Sequence, residues 1–185
     1  EGNLGIITSA VIRIHRIPEC QKYDSILFYN FKDGVQFLRH VAENNIKPAS
    51  IRLVDNNQFR FGQAIKPEKK SLEKWIAMIQ KFYVLNIKQF EVDKMVACTI
   101  VFEGTNEEVY YQKSMLYKIA KIYKGMFAGS ESGRFGYHLT YAIAYIRDIG
   151  IRLNVMGESF ETTVPWDKVH QVCEGVKKTV NKQHI

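Results

Sequence analysis

The sequence predicts an α+β fold in which an antiparallel sheet is flanked by helices that lie mostly on one face. Segments in which apolar and polar residues alternate, as in strands, are interspersed with segments whose apolar residues recur at helical spacing. Several connections between them have the short length typical of antiparallel neighbours. Hydrophobic residues form 46% of the 185-residue chain, so it can bury a sizeable core.

The first half of the chain opens with an alternating apolar segment that Pro18 ends. Asp33 and Ser71 each precede a helical pattern, where a side-chain oxygen can cap the first turn. The predicted strands cover 6–17, 25–31 and 50–54. The predicted helices cover 33–45, 56–63 and 72–85. The first of these helices is expected to turn inward Val35, Phe37, Leu38, Val41 and Ala42.

The second half contains a glycine- and serine-rich stretch, 125–136, which predicts a strand followed by a loop. Pro165 is suited to the first turn of a helix because its φ is already fixed near the helical value. The further strands are predicted at 95–102 and 154–162. The further helices are predicted at 106–123, 137–149 and 165–181.

Composition narrows the class of function. The three cysteines (Cys20, Cys98 and Cys173) and five histidines lack metal-type spacing, so we expect unpaired thiols in a reducing compartment and no bound metal. The net charge of +7 attracts phosphates or anionic lipid surfaces, and no nucleic-acid-binding signature accompanies it. No apolar run approaches the roughly 20 residues that cross a bilayer. The first residue is Glu1 rather than Met, so the natural chain can begin earlier.

An arginine in apolar surroundings marks the first candidate site. Arg147 lies on a predicted helix and shares a face with Tyr137 and Thr140. Because the guanidinium keeps its charge, it needs an anionic partner or a wet cavity. That partner is either a phosphate or carboxylate ligand or a structural carboxylate such as Asp55 or Glu158, and the residue types do not decide between them.

Three other features carry weaker signals. Arg52, in a short apolar strand, invites the same argument, with a salt bridge to a neighbour favoured. The two glycines of segment 1–8 (EGNLGIIT) let backbone N–H groups approach a phosphate, although ordinary turns share this pattern. The predicted helix 72–85 carries an apolar stripe that contains Trp75, and lysines such as Lys81 flank this stripe. The helix therefore either lies on an anionic membrane or packs its stripe on the core. No nucleophile–base spacing is present, so a cofactor would carry any difficult chemistry.

Several segments together resemble one family. Residues 1–8 are similar to the EGTLGxIT segment that closes the FAD-binding domain of vanillyl-alcohol-oxidase-type flavoproteins, with Asn3 in place of the usual threonine. The other motifs resemble the alkyldihydroxyacetonephosphate synthases, and the resemblance runs the whole length of the chain. These motifs are PASIRLVDN, QF and FG within 48–62, LTY at 139–141, IAYIRD at 143–148, GESFET at 157–162 and PWD at 165–167.

The resemblance implies a two-domain enzyme with non-covalent FAD. Residues 1–18 would form the last strands of the FAD-binding domain, and 19–185 an incomplete substrate-binding cap domain. The implied reaction exchanges the acyl group of acyl-dihydroxyacetone phosphate for a long-chain fatty alcohol through a flavin N5–substrate adduct, which forms the ether bond of ether lipids such as plasmalogens. A peroxisomal location, contact with the peroxisomal membrane and a homodimer of the full-length protein are also implied.

The resemblance assigns roles to particular residues. Arg147 matches the family's substrate-binding arginine, Arg52 matches an arginine needed for activity, and Ser159 lies in a motif near the active centre. The backbone of six residues is expected to touch FAD: Glu1, Gly2, Asn3, Leu4, Gly5 and Ile6.

The family's catalytic tyrosine and histidine cluster would lie beyond Ile185, and most of the FAD domain before Glu1. We therefore expect the chain alone to bind FAD weakly and to be inactive. Two alternatives stay open. One is an FAD-dependent D-2-hydroxyacid dehydrogenase of the same superfamily, although the chain lacks the His/Glu motif usual in the cap domain of those enzymes. The other is a non-enzymatic module that binds anionic membranes.

Overall fold

A four-stranded antiparallel sheet forms the centre of the fold. The computed structural model describes residues 4–66, 71–157 and 160–182. In the spatial order β2-β3-β1-β4, the strands are β1 (Cys20–Phe28), β2 (Ser50–Val54), β3 (Val96–Gly104) and β4 (Met126–Phe127). The α-helices are α1 (Phe31–Glu43), α2 (Asn56–Ala64), α3 (Ser71–Phe82), α4 (Asn106–Ile122), α5 (Gly129–Arg152) and α6 (Val169–Lys182). A π-helical segment, Tyr83–Ile87, extends α3. The predicted α+β class is confirmed.

The helices cover both faces of the sheet, so the expectation that they lie mostly on one face is wrong. α1 and α4 pack on one face and α5 crosses the other. Ala42 of α1 was expected to be inward but is exposed, because Val35, Phe37 and Val41 take the buried positions of that helix. The main core between the sheet, α1 and α4 contains Ile26, Phe28, Phe37, Val41, Val96, Cys98, Ile100, Phe102, Val109 and Leu116.

The N-terminus of α1 is capped by Asn30 rather than by Asp33. The Asn30 Oδ1 accepts a hydrogen bond from the Asp33 backbone N–H at 2.9 Å. In return, the Asn30 side-chain amide donates to the Asp33 carboxylate at 2.8 Å. Asp33 therefore supports the cap from inside the first turn, where an acidic residue also complements the helix dipole. The strand predicted at 50–54 and the helix predicted from Asn56 are confirmed.

The segment 125–136 contains β4 but no loop after it, because α5 occupies most of this segment. Gly133 and Gly136 of α5 lie where the helix crosses β1 and β3. A Cβ on Gly133 would overlap the backbone carbonyl of Asp24, and a Cβ on Gly136 would lie 2.5 Å from Thr99 Cγ2. These glycines are required by a close approach of helix to sheet and not by a turn, a distinction that composition alone does not make.

The strand predicted at 6–17 is absent. These residues have no regular secondary structure, and apolar side chains among them, such as Ile6, Ile12 and Ile14, are exposed. An isolated strand leaves its N–H and C=O groups without ladder partners. Neither β2 nor β4, the two edges of the sheet, pairs with this segment, so its apolar alternation is not sufficient to make a strand here.

The region after α5 also differs from its prediction. α5 continues to Arg152 and ends in a turn in which Asn154 has a φ of 59° and Val155 N–H donates to the Gly150 carbonyl at 2.8 Å. Residues 154–157 and 160–162 carry no strand, and 158–159 lie outside the described residues. The last helix begins at Val169 and not at the predicted Pro165, which precedes a turn.

One charged group lies in the core beside α4. Asp24 of β1 is only 2% exposed. Its carboxylate accepts hydrogen bonds from the Ser25 backbone N–H at 2.9 Å and from the Tyr117 hydroxyl, and it forms a 2.9 Å ion pair with Lys113. Burial, followed by the contact with Asp24, raises the pKa of the Tyr117 phenol. The cluster satisfies a carboxylate that would otherwise be costly to bury.

We predict that Gly136→Ala destabilises the chain and that Thr99→Ser rescues it. The new methyl group would meet Thr99 Cγ2, and overpacking of this kind costs about 1–3 kcal/mol, more than the gain of about 1 kcal/mol in helix propensity. Serine removes Cγ2, so the double variant should unfold at a higher urea concentration than Gly136→Ala alone. Gly133→Ala is the matched control, because it meets backbone atoms and Thr99→Ser should not rescue it. Equal midpoints for Gly136→Ala and the unmodified chain would contradict this packing.

We also predict that Tyr117 contributes stability that is lost in alkaline solution. Since folding raises the Tyr117 pKa above its ordinary value of 10.0, this contribution is complete below about pH 10 and declines as the pH rises through the folded-state value. The free energy of unfolding should therefore fall above about pH 10, and less steeply in Tyr117→Phe. Tyr110→Phe, at an exposed position of α4, is the control. Identical slopes for Tyr117→Phe and the unmodified chain would exclude this role.

Candidate functional site

Arg52 lies on the face of the sheet that α5 covers. Its Cα partner across the β2–β3 ladder is Thr99, the residue against which Gly136 packs. Residues directly opposite each other in a ladder point to the same face. Arg52 is exposed, and no ion pair joins it to another described residue. The favoured interpretation, a salt bridge to a neighbouring carboxylate, therefore has no support among the described residues.

Arg147 lies on the same side of α5 as the glycines that touch the sheet. It follows Gly136 by eleven residues, which corresponds to about three turns and about 16 Å along the axis. Leu139, which lies between Gly136 and Arg147 in the sequence, would be 3.4 Å from a Cβ on Gly62 of α2. The Arg147 side chain is exposed. Arg147 therefore lies on the sheet-facing side of α5, about three turns beyond the point where the helix crosses β3.

Asp55, one of the two carboxylates considered as partners of Arg147, binds other groups. Asp55 caps α2 by accepting from the Gln58 N–H at 2.8 Å, and it forms a 3.0 Å ion pair with Lys177 of α6. The other carboxylate considered, Glu158, lies outside the described residues. Within the described ranges the Arg147 guanidinium has no carboxylate partner, which leaves it able to receive an anionic ligand.

The glycine segment at the start of the chain is only partly described. Leu4, Gly5 and Ile6 are exposed, while residues 1–3 lie outside the described ranges, as does Ser159. Gly5 has a φ of 156°, in the region that favours glycine, and a Cβ there would meet no atom within 4 Å. The open backbone at Gly5 fits the close approach of a phosphate-bearing cofactor. The described residues of this segment, 4–8, are exposed and are not brought into contact with either arginine.

An aromatic cluster that no local sequence pattern predicts lies between α5 and β1. The Tyr141 hydroxyl donates to the Tyr137 hydroxyl at 2.9 Å, and the Tyr23 ring centroid lies 5.7 Å from that of Tyr137. His138 packs within 6.5 Å of each of these rings. The hydrogen bond to Tyr141, followed by burial, raises the pKa of Tyr137. The spacing of four residues between Tyr137 and Tyr141 predicts that these two rings meet on one face of a helix. The sequence does not show that Tyr23 joins them, because this depends on how α5 lies against β1.

α3 presents its apolar stripe to solvent instead of packing it on the core. Trp75 is 65% exposed, and Ile76, Ile79 and Phe82 are also exposed. Two lysines that border the predicted stripe, Lys69 and Lys70, lie outside the described residues, and the side chains of 71–74 are not described. The interpretation of this helix as core-facing is therefore wrong for its described residues. None of the described helices is both long and apolar enough to cross a bilayer.

The described ranges hold no group of three or more histidine, cysteine or acidic side chains arranged to bind a metal ion. Cys20 and Cys98 are buried and unpaired, and Cys173 is half-buried and unpaired. Burial raises the pKa of the Cys98 thiol, which makes it a poor nucleophile. Among the described side chains, the exposed Arg52 and Arg147 are suited to binding an anion.

Comparison with known proteins gives one consistent result. Alkyldihydroxyacetonephosphate synthase of Caenorhabditis elegans is 44% identical over 99% of this chain, and that of Dictyostelium discoideum is 28% identical over 98%. The chain spans 31% and 30% of the length of these two relatives. A solved structure of alkyldihydroxyacetonephosphate synthase superposes with a TM-score of 0.79 at 25% identity, covering 91% of this chain and 31% of that one.

The family model described as FAD linked oxidases, C-terminal domain, matches residues 17–185. That range contains the whole sheet and all six helices described above. The chain therefore belongs to the family of FAD linked oxidases, C-terminal domain.

Proposed function

We propose that this chain is the cap part of an alkyldihydroxyacetonephosphate synthase, with residues 1–18 belonging to the adjoining FAD-binding domain. The observation that carries the proposal is the 44% identity to a protein of that name over 99% of this chain. The reaction would exchange the acyl group of acyl-dihydroxyacetone phosphate for a long-chain fatty alcohol and so form an ether lipid. The D-2-hydroxyacid dehydrogenase alternative loses support, because the relatives at 44%, 28% and 26% identity all carry the synthase name.

Arg147 would bind the phosphate of acyl-dihydroxyacetone phosphate. Its guanidinium is exposed, lacks a carboxylate partner among the described residues, and stands on a helix held firmly to the sheet. A planar guanidinium can donate two parallel hydrogen bonds to a phosphate, and these fix orientation as well as position. Arg52, on the same side of the sheet, would support the flavin-side architecture. Ser159 would lie near the active centre.

FAD would be held in part by the backbone of residues 1–6, of which Gly5 offers the open approach described above. When bound, the flavin would supply the electron-accepting chemistry of the exchange, which no described side chain provides. The contribution of this chain would be to bind and orient the phosphate end of the substrate beside it. A purified 185-residue chain that retains stoichiometric flavin absorbance would contradict the expectation of weak binding by this part alone.

The test of the substrate role is Arg147→Lys in the full-length protein that contains this chain. Lysine keeps the charge but loses the two-point contact, so we expect kcat/KM for palmitoyl-dihydroxyacetone phosphate with hexadecanol to fall on the order of 100-fold. Flavin absorbance should be unchanged. Arg152→Lys, at an exposed position of the same helix, is the matched control. Near-normal turnover of Arg147→Lys would show that the arginine does not bind substrate, while turnover of lactate or 2-hydroxyglutarate instead would overturn the synthase assignment.

A second proposal concerns α3, which would rest on the surface of an anionic membrane. The supporting observation is the exposure of its apolar stripe at Trp75, Ile76, Ile79 and Phe82. A stripe of this kind gains free energy by entering the boundary between headgroups and acyl chains, while flanking lysines such as Lys81 attract anionic headgroups. The location would suit an enzyme whose alcohol substrate is itself a membrane lipid.

We expect Trp75→Ala combined with Lys81→Glu to reduce co-sedimentation with phosphatidylcholine–phosphatidylserine vesicles by about tenfold, because one change removes buried apolar area and the other reverses a charge. Tyr110→Ala, which removes an equally exposed ring from α4, should bind as the unmodified chain does. Unchanged sedimentation of the double variant would remove the membrane role of α3 and leave the synthase proposal intact.

Two further features of the full-length protein are proposed from the resemblance. One is a peroxisomal location, which co-localisation of the fluorescently tagged protein with a peroxisomal marker would test. The other is a homodimer, which analytical ultracentrifugation would test, since a monomeric mass at micromolar concentration would contradict it.

A further inference from the structure

A cleft of about 520 Å³ opens at the free edge of β1. β4 pairs only with Ile26 and Leu27, so the earlier residues of β1 have no strand on this side. α4 borders the gap on one face of the sheet and the first turns of α5 border it on the other. The cleft is lined by Gln21, Lys22, Tyr23, Lys113, Ser130, Glu131 and Arg134.

One cation of the cleft is fixed in place. Lys113 Nζ lies 2.9 Å from the buried Asp24 carboxylate and 5.2 Å from the centroid of the Tyr117 ring. The carboxylate is in turn held by Tyr117 and by the Ser25 N–H. An ammonium carries three donors and Asp24 uses one of them. Lys113 therefore presents remaining N–H groups at a defined point of the cleft.

The two other cations have no carboxylate partner. Neither the Lys22 side chain nor the Arg134 side chain forms an ion pair or hydrogen bond with any residue of the described ranges, although Glu131 lies three residues from Arg134 on the same helix. A backbone donor is also available. Ser25 C=O accepts from Ala128 on the β4 side, and because strand backbone groups alternate in direction, the Tyr23 N–H points to the same edge.

We propose that this cleft binds a single phosphoryl group, with Arg134, Lys22 and Lys113 as its cationic contacts. Of the nearby carboxylates, Asp24 is paired with Lys113 and Glu103 accepts from the Gln21 amide at 2.6 Å, while Glu131 lies at the rim. The two cations that have no carboxylate partner, Lys22 and Arg134, suit one small anion and not a polyanionic chain. The site is independent of the proposed substrate role of Arg147, from which Arg134 is separated by about 20 Å along α5. The phosphoryl group could come from a free phosphate monoester or from a lipid headgroup.

The probe is inorganic phosphate, titrated into the 185-residue chain at constant ionic strength while backbone amide NMR signals of Tyr23 and Ser130 are followed. We expect saturable shifts, with affinity lowered about tenfold in Arg134→Gln and several-fold in Lys22→Gln. Arg152→Gln and Arg147→Gln should leave these two signals and their affinity unchanged. Both cleft positions are exposed, so the variants should retain the amide spectrum of the fold.

The outcomes separate the two anion sites. Shifts that are equal with chloride, or an affinity unaltered in Arg134→Gln, would overturn the cleft proposal. Loss of the shifts in Arg147→Gln alone would assign the phosphate to Arg147 and also overturn it. Failure of Arg147 to bind substrate phosphate would leave the cleft result untouched. If the cleft binds, phosphatidic acid vesicles that compete with free phosphate in the unmodified chain but not in Arg134→Gln would identify a lipid headgroup as a source. Competition by glycerol 3-phosphate without competition by the vesicles would identify a soluble monoester.

Discussion

The close approach of α5 to the sheet is the constraint on which the other features depend. At Gly133 and Gly136 the helix backbone lies where a side chain would otherwise stand, against Asp24 and Thr99. This contact sets the height of α5 over β1 and β3 and the position of every residue further along it. Because a helix of 24 residues is stiff over its length, fixing its first two turns also determines where its later turns stand relative to the sheet.

The spacing of apolar residues along the chain predicted most of the strands and helices. It failed where a segment needs a neighbouring element to pair with or pack against. β2 and α2 have the predicted positions because their partners are present in this chain. β2 pairs with β3, and α2 packs against the sheet. Segment 6–17 alternates as well as a strand does, but no strand in the described ranges pairs with it. The stretch 125–136 failed for another reason, since glycine serves turns and close helix packing equally, and only the crossing of α5 over β3 distinguishes the two.

The candidate site could be predicted in part. Arg147 and Arg52 stood out because a permanent charge in an apolar sequence requires an explanation, and both lie on the α5 side of the sheet. The residue types left the partner of Arg147 open, and the structure pairs one candidate, Asp55, with Lys177. The placement of α5 against β1 cannot be predicted from a local pattern. It brings Tyr23 to Tyr137 and places Lys22 and Arg134 in one cleft at the edge of the sheet.

The exposed apolar side chains and the unpaired arginines differ in what they cost in water. Contiguous exposed apolar patches commonly mark surfaces that bind a protein or a membrane. The apolar stripe of α3 and the segment before β1 are costly to leave in water, and unpaired guanidinium groups are inexpensive there but valuable when a ligand displaces the water. α5 carries both kinds of surface, because its first turns are tied to the core while a later turn presents Arg147, with the exposed Ile151 one turn further on the same side of the helix. In the proposed function, Arg147 would hold the phosphate of the substrate, and the exposed apolar side chain that follows it by one turn would lie beside the acyl chain.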